Sequence, residues 1–373
     1  MSHPRVALVH DWLTGMRGGE KVLEVLCEMH PGADVLTLLH RRGSVSPPIE
    51  RHPIQTSFLQ WLPGTSTHYR RYLPLFPFAV EQFDLDGYDL VLSTSHAVAK
   101  SVVAPGRARH LCYCFSPMRY AWDQFDAYFG PHRVGKFASR WFYRPVLSAL
   151  ARWDAASSAR VNRFVAISGH VAGRIRRYYN RQASVVYPPV DTAFFHPGDR
   201  RPEDHFLIVS ALVPYKQVEL AIAACEHIGA HLRIVGEGPE RERLARLAGR
   251  TTELLGWLPD EAVRDEYRRA VAVILPGEED FGIVPLEAQA CGRPVVALAR
   301  GGALETVRDG DTGVLFPEST VESLAAALLR VRDNGFDSDA IRRHAEQFSL
   351  GRYKQQMRAV VDDTLAAPAG TTW

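Results

Sequence analysis

Glu279 and Glu287 stand eight positions apart in the stretch EEDFGIVPLEAQACG, which opens with Glu278, Glu279 and Asp280. The apolar run Val271–Leu275 before it reads as a buried parallel strand, and the residues from Pro285 to Ala290 read as a helix. Proline is tolerated in a first helical turn, where a missing N–H costs little. The motif is therefore strand, acidic loop and helix start, with one carboxylate on the loop and the other early in the helix. Backbone N–H groups of Phe281, Gly282, Ile283 and Val284, with those of the first turn, suit an anion. The two carboxylates suit hydroxyl groups. A phosphate flanked by polyols, as in a nucleotide sugar, fits that disposition.

Lys216 follows the apolar run Phe206–Ala211 and precedes a helical pattern that buries Val218, Ala221, Ile222 and Cys225. A cation at a helix start opposes the helix dipole. A bound diphosphate would offset that cost; the competing reading is an ordinary solvated lysine. Gly15, Gly18 and Gly19 lie between the first strand and its helix, where glycine lets a phosphate or sugar approach the backbone or simply makes a tight turn. They do not form the Gly-x-Gly-x-x-Gly dinucleotide fingerprint. Gly236 and Gly238, Trp257 and Leu258, and Gly301 and Gly302 fall on three further loops after strands. Each is ordinary alone, but all three flank the two-glutamate loop, and Trp257 and Leu258 suit contact with a base.

The first half carries a different signal. Phe58, Trp61, Tyr69, Tyr72, Phe76 and Phe78 are interleaved with Arg70 and Arg71 and with several prolines. This reads either as a long loop folded on its own domain or as an acceptor-side surface facing an anionic membrane, with Trp61, Tyr69, Arg70, Arg71 and Tyr72 at its centre. Arg133, Lys136, Arg140, Arg144 and Arg152 add positive charge to a neighbouring helical stretch and read as a solvated face. Asp84 and Asp86 form an Asp-x-Asp ahead of a strand, at the amino edge, which argues against a metal-dependent transferase site. Cys112 and Cys114 fall on one face of an apolar strand without a second ligand pair, so no metal site is expected.

The elements that must position these residues alternate between short apolar runs and helical patterns, which predicts parallel α/β architecture. Strands are expected at Arg5–His10, Asp34–Leu39, Asp89–Thr94, His110–Cys114 and Arg163–Ile167. In the second half they are expected at Phe206–Ala211, Leu232–Val235, Glu253–Leu255, Val271–Leu275 and Pro294–Leu298. The Pro-, Asp- and Arg-rich stretch YPPVDTAFFHPGDRRPED suits a linker. The expected division is an acceptor-side domain over 1–190, a nucleotide-sugar domain over 191–350, and a C-terminal helix and tail over 351–373 packing back on the first. The helix is expected from Arg352 to Ala366, with the tail after it frayed. Two doubly wound Rossmann-like domains facing a cleft place ligands at the carboxyl edges of their strands.

Bulk properties agree. The chain has 373 residues, 46% of them apolar, and a formal net charge of +2, without the concentrated basic footprint of a nucleic-acid binder. Five irregularly spaced cysteines form no disulfide framework. With neither a signal-peptide pattern nor a membrane-spanning apolar run, the expected location is cytoplasmic, in association with the inner face of the cell membrane.

Taken together, these residues resemble a retaining glycosyltransferase of glycosyltransferase family four, with the two-Rossmann GT-B fold. The likeness is strongest to bacterial mannosyltransferases that extend lipid-linked O-antigen or exopolysaccharide units. Glu279 and Glu287 match the family's Glu-x7-Glu signature, and TSHAVAK, PMRYAWD and YPPVD also look like family segments. The resemblance implies that Glu279 contacts the transferred sugar, Glu287 the ribose and Lys216 the diphosphate, and that Gly18 and Gly19 cover the donor. It implies GDP-mannose as donor, a lipid-linked saccharide as acceptor, and no metal or other cofactor. Two departures stand out. Many relatives carry arginine where this chain has Ala211. Many also have His-Thr-Pro where it has Phe115-Ser116-Pro117, which leaves His96 and His110 as the candidate first-domain histidines. Alternatives from other classes are a nucleotide-sugar epimerase on the same fold and a non-catalytic nucleotide-sugar-binding module.

Overall fold

The computed structural model describes residues 4–199, 202–368 and 370–373. The chain forms two units, residues 1–187 with 354–373, and residues 188–353. In the first unit the strands are β1 (Val6–His10), β2 (Asp34–Thr37), β3 (Ile54–Thr56), β4 (Leu90–Ser95), β5 (Arg109–Cys114), β6 (Arg163–Ala166) and β7 (Ala183–Val185). They form one sheet in the order β3-β2-β1-β4-β5-β6-β7, with every pair parallel. In the second unit β8 (Phe206–Val209), β9 (Leu232–Val235), β10 (Thr252–Gly256), β11 (Ala272–Leu275), β12 (Val295–Leu298) and β13 (Gly313–Phe316) form a parallel sheet in the order β10-β9-β8-β11-β12-β13. Each unit is a doubly wound α/β fold, and in each the strand order reverses beside the first strand. That places a switch point between β1 and β4 and another between β8 and β11.

The strands are short apolar runs because helices cover both faces of each sheet and leave no solvated side. In the second unit Phe206, Ile208, Ile234 and Ile274 meet Val218, Ala221, Ile222 and Cys225 of the helix Val218–His227, and Leu324, Leu328 and Val331 of the helix Val321–Asp333. The second of these helices starts where Thr320 accepts the Ser323 N–H, at 3.2 Å. Ser168 caps the helix Gly169–Tyr179 in the same way, through Val171 at 3.0 Å.

All ten strands expected from the sequence are present, each within two residues of its expected bounds, and β3, β7 and β13 are additional. The helix expected at 352–366 runs over Leu350–Ala366. The frayed tail is a correction. Trp373 donates its N–H to the Asn162 carbonyl at 3.0 Å, accepts from Arg181 at 3.3 Å and lies under the Arg163 guanidinium at 4.8 Å. The tail is thereby tied to the residues around β6.

Candidate active site

In the second unit the loops after β8 and β11 flank the switch point, and they carry Lys216 and Glu279. Lys216 ends a short 3₁₀ turn, Pro214–Lys216, and Gln217 then takes a left-handed conformation (φ 51°) before the helix Val218–His227. The lysine is therefore set off from that helix and not in its first turn. Its Nζ donates to Glu279 Oε1 in an ion pair between two mostly buried side chains. Ser210, Lys216, Pro276, Gly277, Glu279, Gly282, Ile283 and Val284 line one pocket. Five of these, Lys216, Glu279, Gly282, Ile283 and Val284, are residues expected at the site from the sequence.

Two glycine contacts make that convergence possible. A side chain on Gly277 would collide with the Tyr215 carbonyl oxygen, so only glycine lets the β11 loop press against the turn that presents Lys216. Gly301 has φ 60°, and a Cβ there would fall on the Glu279 carbonyl oxygen. Instead Glu279 and Gly301 form an isolated parallel bridge, and the Gly302 N–H donates to the Glu279 carbonyl at 2.8 Å. The Gly301–Gly302 loop after β12 thus buttresses the backbone that holds Glu279.

The helix after the acidic loop begins at Ile283, with Gly282 before it at φ 83°, and Pro285 lies in its first turn. Phe281 is buried and packs on Phe348, with ring centroids 6.1 Å apart. Glu287 is more enclosed than a ribose contact at a surface would suggest: it is buried, and its Oε2 accepts from the Tyr267 hydroxyl at 2.8 Å. Tyr267 is itself fully buried, and burial followed by the nearby Glu287 charge raises its pKa well above the ordinary value. It is the donor throughout. No local pattern marks this partner, because a tyrosine inside the charged helix Asp260–Arg269 looks like any core contact. Gly236 follows β9 and donates its N–H to the Gly256 carbonyl at 2.7 Å; beyond Gly256, Trp257 is exposed and Leu258 half-buried.

Gly18 and Gly19 are the first two residues of the helix Gly18–Met29, in the first unit. A Cβ on Gly19 would sit 3.4 Å from the Phe115 ring and 3.6 Å from His10. At this unit's switch point the sequence reading missed Asp11, which directly follows β1. Its fully buried carboxylate accepts four backbone N–H groups, from His96, Ala97, Val98 and Ala99, at 2.7 to 3.0 Å. His96 Nδ1 lies 3.1 Å from the same carboxylate, and the imidazole packs against the edge of Trp12 at 4.5 Å. Burial lowers the His96 pKa against the pull of Asp11, and the geometry suits an Nδ1–H that donates to the carboxylate. The signal available was the His-Asp pair closing an apolar strand run. His110 is excluded from any contact with substrate: it is fully buried near the amino end of β5, paired with Ser93 Oγ at 2.8 Å and the Arg160 carbonyl at 3.3 Å.

The aromatic and basic segment divides. Trp61, Arg70 and Arg71 are exposed, as is Phe78. Tyr69 and Phe76 are core residues packed on Trp12, and Tyr72 is half-buried with its hydroxyl donating to the Pro63 carbonyl at 2.8 Å. The reading of Tyr69 and Tyr72 as surface residues is thus corrected: the 3₁₀ turn over Tyr69–Leu75 turns its rings inward. Asp84 closes a turn by accepting the Asp86 N–H at 2.9 Å. No helix among the described residues is long and apolar enough to cross a membrane.

Comparison with known proteins agrees with this geometry. Residues 191–348 match the family described as Glycosyl transferases group 1. A D-inositol 3-phosphate glycosyltransferase of Acidothermus cellulolyticus is 36% identical over 216 residues, 49% of this chain and 48% of that protein. The chain spans about half the length of the curated relatives it matches. Among solved structures, a sucrose-phosphate synthase from Thermosynechococcus elongatus superimposes with a TM-score of 0.71 at 18% identity, covering 98% of this chain and 100% of that one. The Anabaena protein HepE, in complex with UDP and glucose, gives 0.71 at 16% identity over 97% and 100%. At these identities the likeness is one of fold, the α/β fold of GT-B glycosyltransferases with its two parallel sheets. The family match runs over nearly all of the second unit.

Proposed function

We propose that this chain is a retaining, metal-independent glycosyltransferase that moves a sugar from a nucleoside diphosphate to a lipid-linked saccharide. The observation that carries the reading is the Lys216–Glu279 pair, set on the two loops that flank the switch point of a group 1 domain. Without donor, the two side chains neutralise each other. A diphosphate takes Lys216 as its counter-ion and leaves Glu279 to the hydroxyls or developing positive charge of the sugar. The bond between the sugar C1 and the diphosphate oxygen breaks, and the acceptor oxygen bonds C1 from the same face. The acceptor's proton passes to the departing phosphate oxygen, so no protein nucleophile is used. Lys216 stabilises the charge that grows on the leaving group, in a pocket where solvent screening is reduced. Glu287 holds the ribose, and Gly236, Leu258, Phe281, Gly282, Ile283 and Val284 complete the contacts of this unit with the donor.

The donor we assign is GDP-mannose, on the strength of the mannosyltransferase resemblance. The UDP and UDP-glucose bound in the Anabaena neighbour make uridine sugars the competing donors. The acceptor is held at an anionic membrane surface on the cytoplasmic side, which Trp61, Arg70 and Arg71 would face. A second acceptor reading, a soluble phosphorylated cyclitol, is favoured by the name of the D-inositol 3-phosphate glycosyltransferase relatives. Transfer is preferred to epimerisation because the matched family and these relatives are transferases.

A panel of nucleotide sugars screened by thermal shift tests the donor, since a ligand at ~100 times its Kd adds about 2.7 kcal/mol. Turnover with mannosylated lipid and inositol phosphate acceptors, in EDTA, then tests acceptor and metal independence, and the anomeric configuration of the product tests retention. Stabilisation by uridine sugars with none by guanosine sugars overturns the donor assignment. Change of the sugar without any acceptor overturns transfer.

A further inference from the structure

Between Asp126 and Asp154 the sequence contains no acidic residue. Within that interval a helix runs unbroken through a turn at Lys136–Ala138, a π-helical turn at Ser139–Tyr143 and the helix Arg144–Ser157. Pro145 has no N–H to return to the preceding turn, and the wider π winding accommodates it. The inner side of this helix is well anchored. Ser139, Leu147 and Leu150 are buried, and Tyr143 stacks on Phe129 with ring centroids 4.8 Å apart. The outer side is unlike an ordinary solvated face. Phe137 is 80% exposed, Trp141 67% and Phe142 57%, three large apolar side chains within six residues. Lys136, Arg140 and Arg144 are exposed beside them, and Arg152 is exposed further along the same helix. Lys136, Arg140 and Arg144 follow at intervals of four and make one row, and Phe137 and Trp141 make the adjacent row. The Arg140 guanidinium lies 5.8 Å from the Trp141 ring centroid.

We infer that this face, residues 136–144, is the element by which the first unit docks on an anionic lipid bilayer. The inference deepens the membrane-held acceptor reading, on which it rests for its purpose, and assigns the docking to a segment other than Trp61 and Arg70–Arg71. Adjacent exposed rings are costly in water and mark a surface that is covered in use. The cations set among them select what covers it. A protein partner would have to match three positive charges around three rings, whereas a bilayer supplies an apolar layer directly beneath a plane of phosphates. The rings of Phe137, Trp141 and Phe142 enter the boundary between headgroups and acyl chains. Lys136, Arg140 and Arg144 pair with lipid phosphates, each strengthening binding about fivefold, by the ~1 kcal/mol of a basic residue near an anionic leaflet. The segment at 61–72 offers fewer such groups, with two arginines, one of which (Arg70) folds over the core ring of Tyr69 at 4.8 Å.

The test is sedimentation of the full chain with phosphatidylcholine vesicles, with and without phosphatidylglycerol, at low and high salt. Three variants accompany it: Phe137→Ser with Trp141→Ser and Phe142→Ser, Lys136→Glu with Arg140→Glu, and Arg70→Glu with Arg71→Glu. The native chain should bind the anionic vesicles, weakly and in a salt-sensitive way. Each of the first two variants should lower that partitioning more than tenfold with an unchanged melting temperature, and the third should change it less than either. Absence of native binding, equal binding to neutral vesicles, or native-like binding by the first two variants would overturn the inference. So would a native dimer that the serine variant converts to monomer without affecting vesicle binding, which would make the face a contact between copies. Donor turnover is measured separately with a soluble acceptor. Failure of the transferase reading appears there and leaves the vesicle result intact.

Discussion

Replacing Tyr267 by phenylalanine removes one hydroxyl from a fully buried ring and leaves the Glu287 carboxylate without that donor. The lost bond is short, at 2.8 Å, shielded from water, and made to an acidic side chain. Hydrogen bonds to charged groups contribute about 1.5–3 kcal/mol, and a buried acceptor that loses its partner also keeps its desolvation penalty. No cavity of note opens, because the ring remains. The second unit should therefore melt about 3–12 °C lower, at ~2–4 °C per kcal/mol for a domain of this size. If Glu287 holds the ribose, Tyr267 fixes the rotamer that does so, and the nucleoside diphosphate should bind roughly tenfold more weakly, a shift of ~1.4 kcal/mol. Turnover at saturating donor should change far less, because the ribose is remote from the bond that breaks. Calorimetric titration with GDP and with UDP, beside saturation kinetics, measures both effects. A variant that melts lower but binds its diphosphate as the native chain does would show that the hydroxyl only stabilises the fold. It would also remove the structural support for Glu287 as the ribose ligand.

Glu279→Gln should leave donor affinity within a few-fold but reduce kcat by two orders of magnitude or more, as measured by steady-state kinetics, because its charge acts mainly on the transition state. Lys216→Ala should likewise lower turnover more than donor affinity; native kinetics in this variant would leave the Lys216–Glu279 pair without a catalytic role. Gly301→Ala should abolish most activity while the protein stays folded by circular dichroism, since the new methyl group displaces the Glu279 carbonyl. Burial pushes the His110 pKa down to about 4, whereas the unfolded chain titrates near its ordinary value of 6.5. The unfolded state therefore binds more protons between those values, so stability is complete above pH ~6.5 and falls toward pH 4, by up to about 3 kcal/mol for this group. Urea midpoints at pH 7.5 and 5 should differ in the native chain and differ less in His110→Gln; equal differences would refute the assignment.

The interior strands and the two-glutamate loop were legible in the sequence because they are written in local patterns. Strands such as β8 and β11 are apolar throughout, and the loop's spacing places both carboxylates near one helix start. The strands that were missed are edges of their sheets. Ile54–Thr56 and Ala183–Val185 span only three residues each and are partly exposed, so they carry no apolar run. Gly313–Phe316 is only four residues long and begins with a glycine, so it too carries little of a strand pattern. Contacts that depend on distant elements could not be read. Asp11 meets residues 96–99, and Tyr267 meets Glu287, across separations that no local period marks. Composition also misjudged which rings face water. Tyr69 and Trp61 look alike in sequence, yet one supports Trp12 and the other is 84% exposed.

The first unit is completed by residues 354–373, so its folding cannot finish while the second unit is still being synthesised. At roughly 5–20 residues per second the interval between residue 187 and residue 354 is on the order of ten seconds. During that interval Arg109 lacks the Ala367 carbonyl, Asn162 lacks Thr371, and Arg163 lacks Asp363. The apolar surface that later covers Met357 and Val361 stays open. The second unit has no such debt, since residues 188–353 contain its whole sheet. The earlier half therefore waits on the ribosome through the synthesis of the later one, exposed to chaperones and to neighbouring nascent chains.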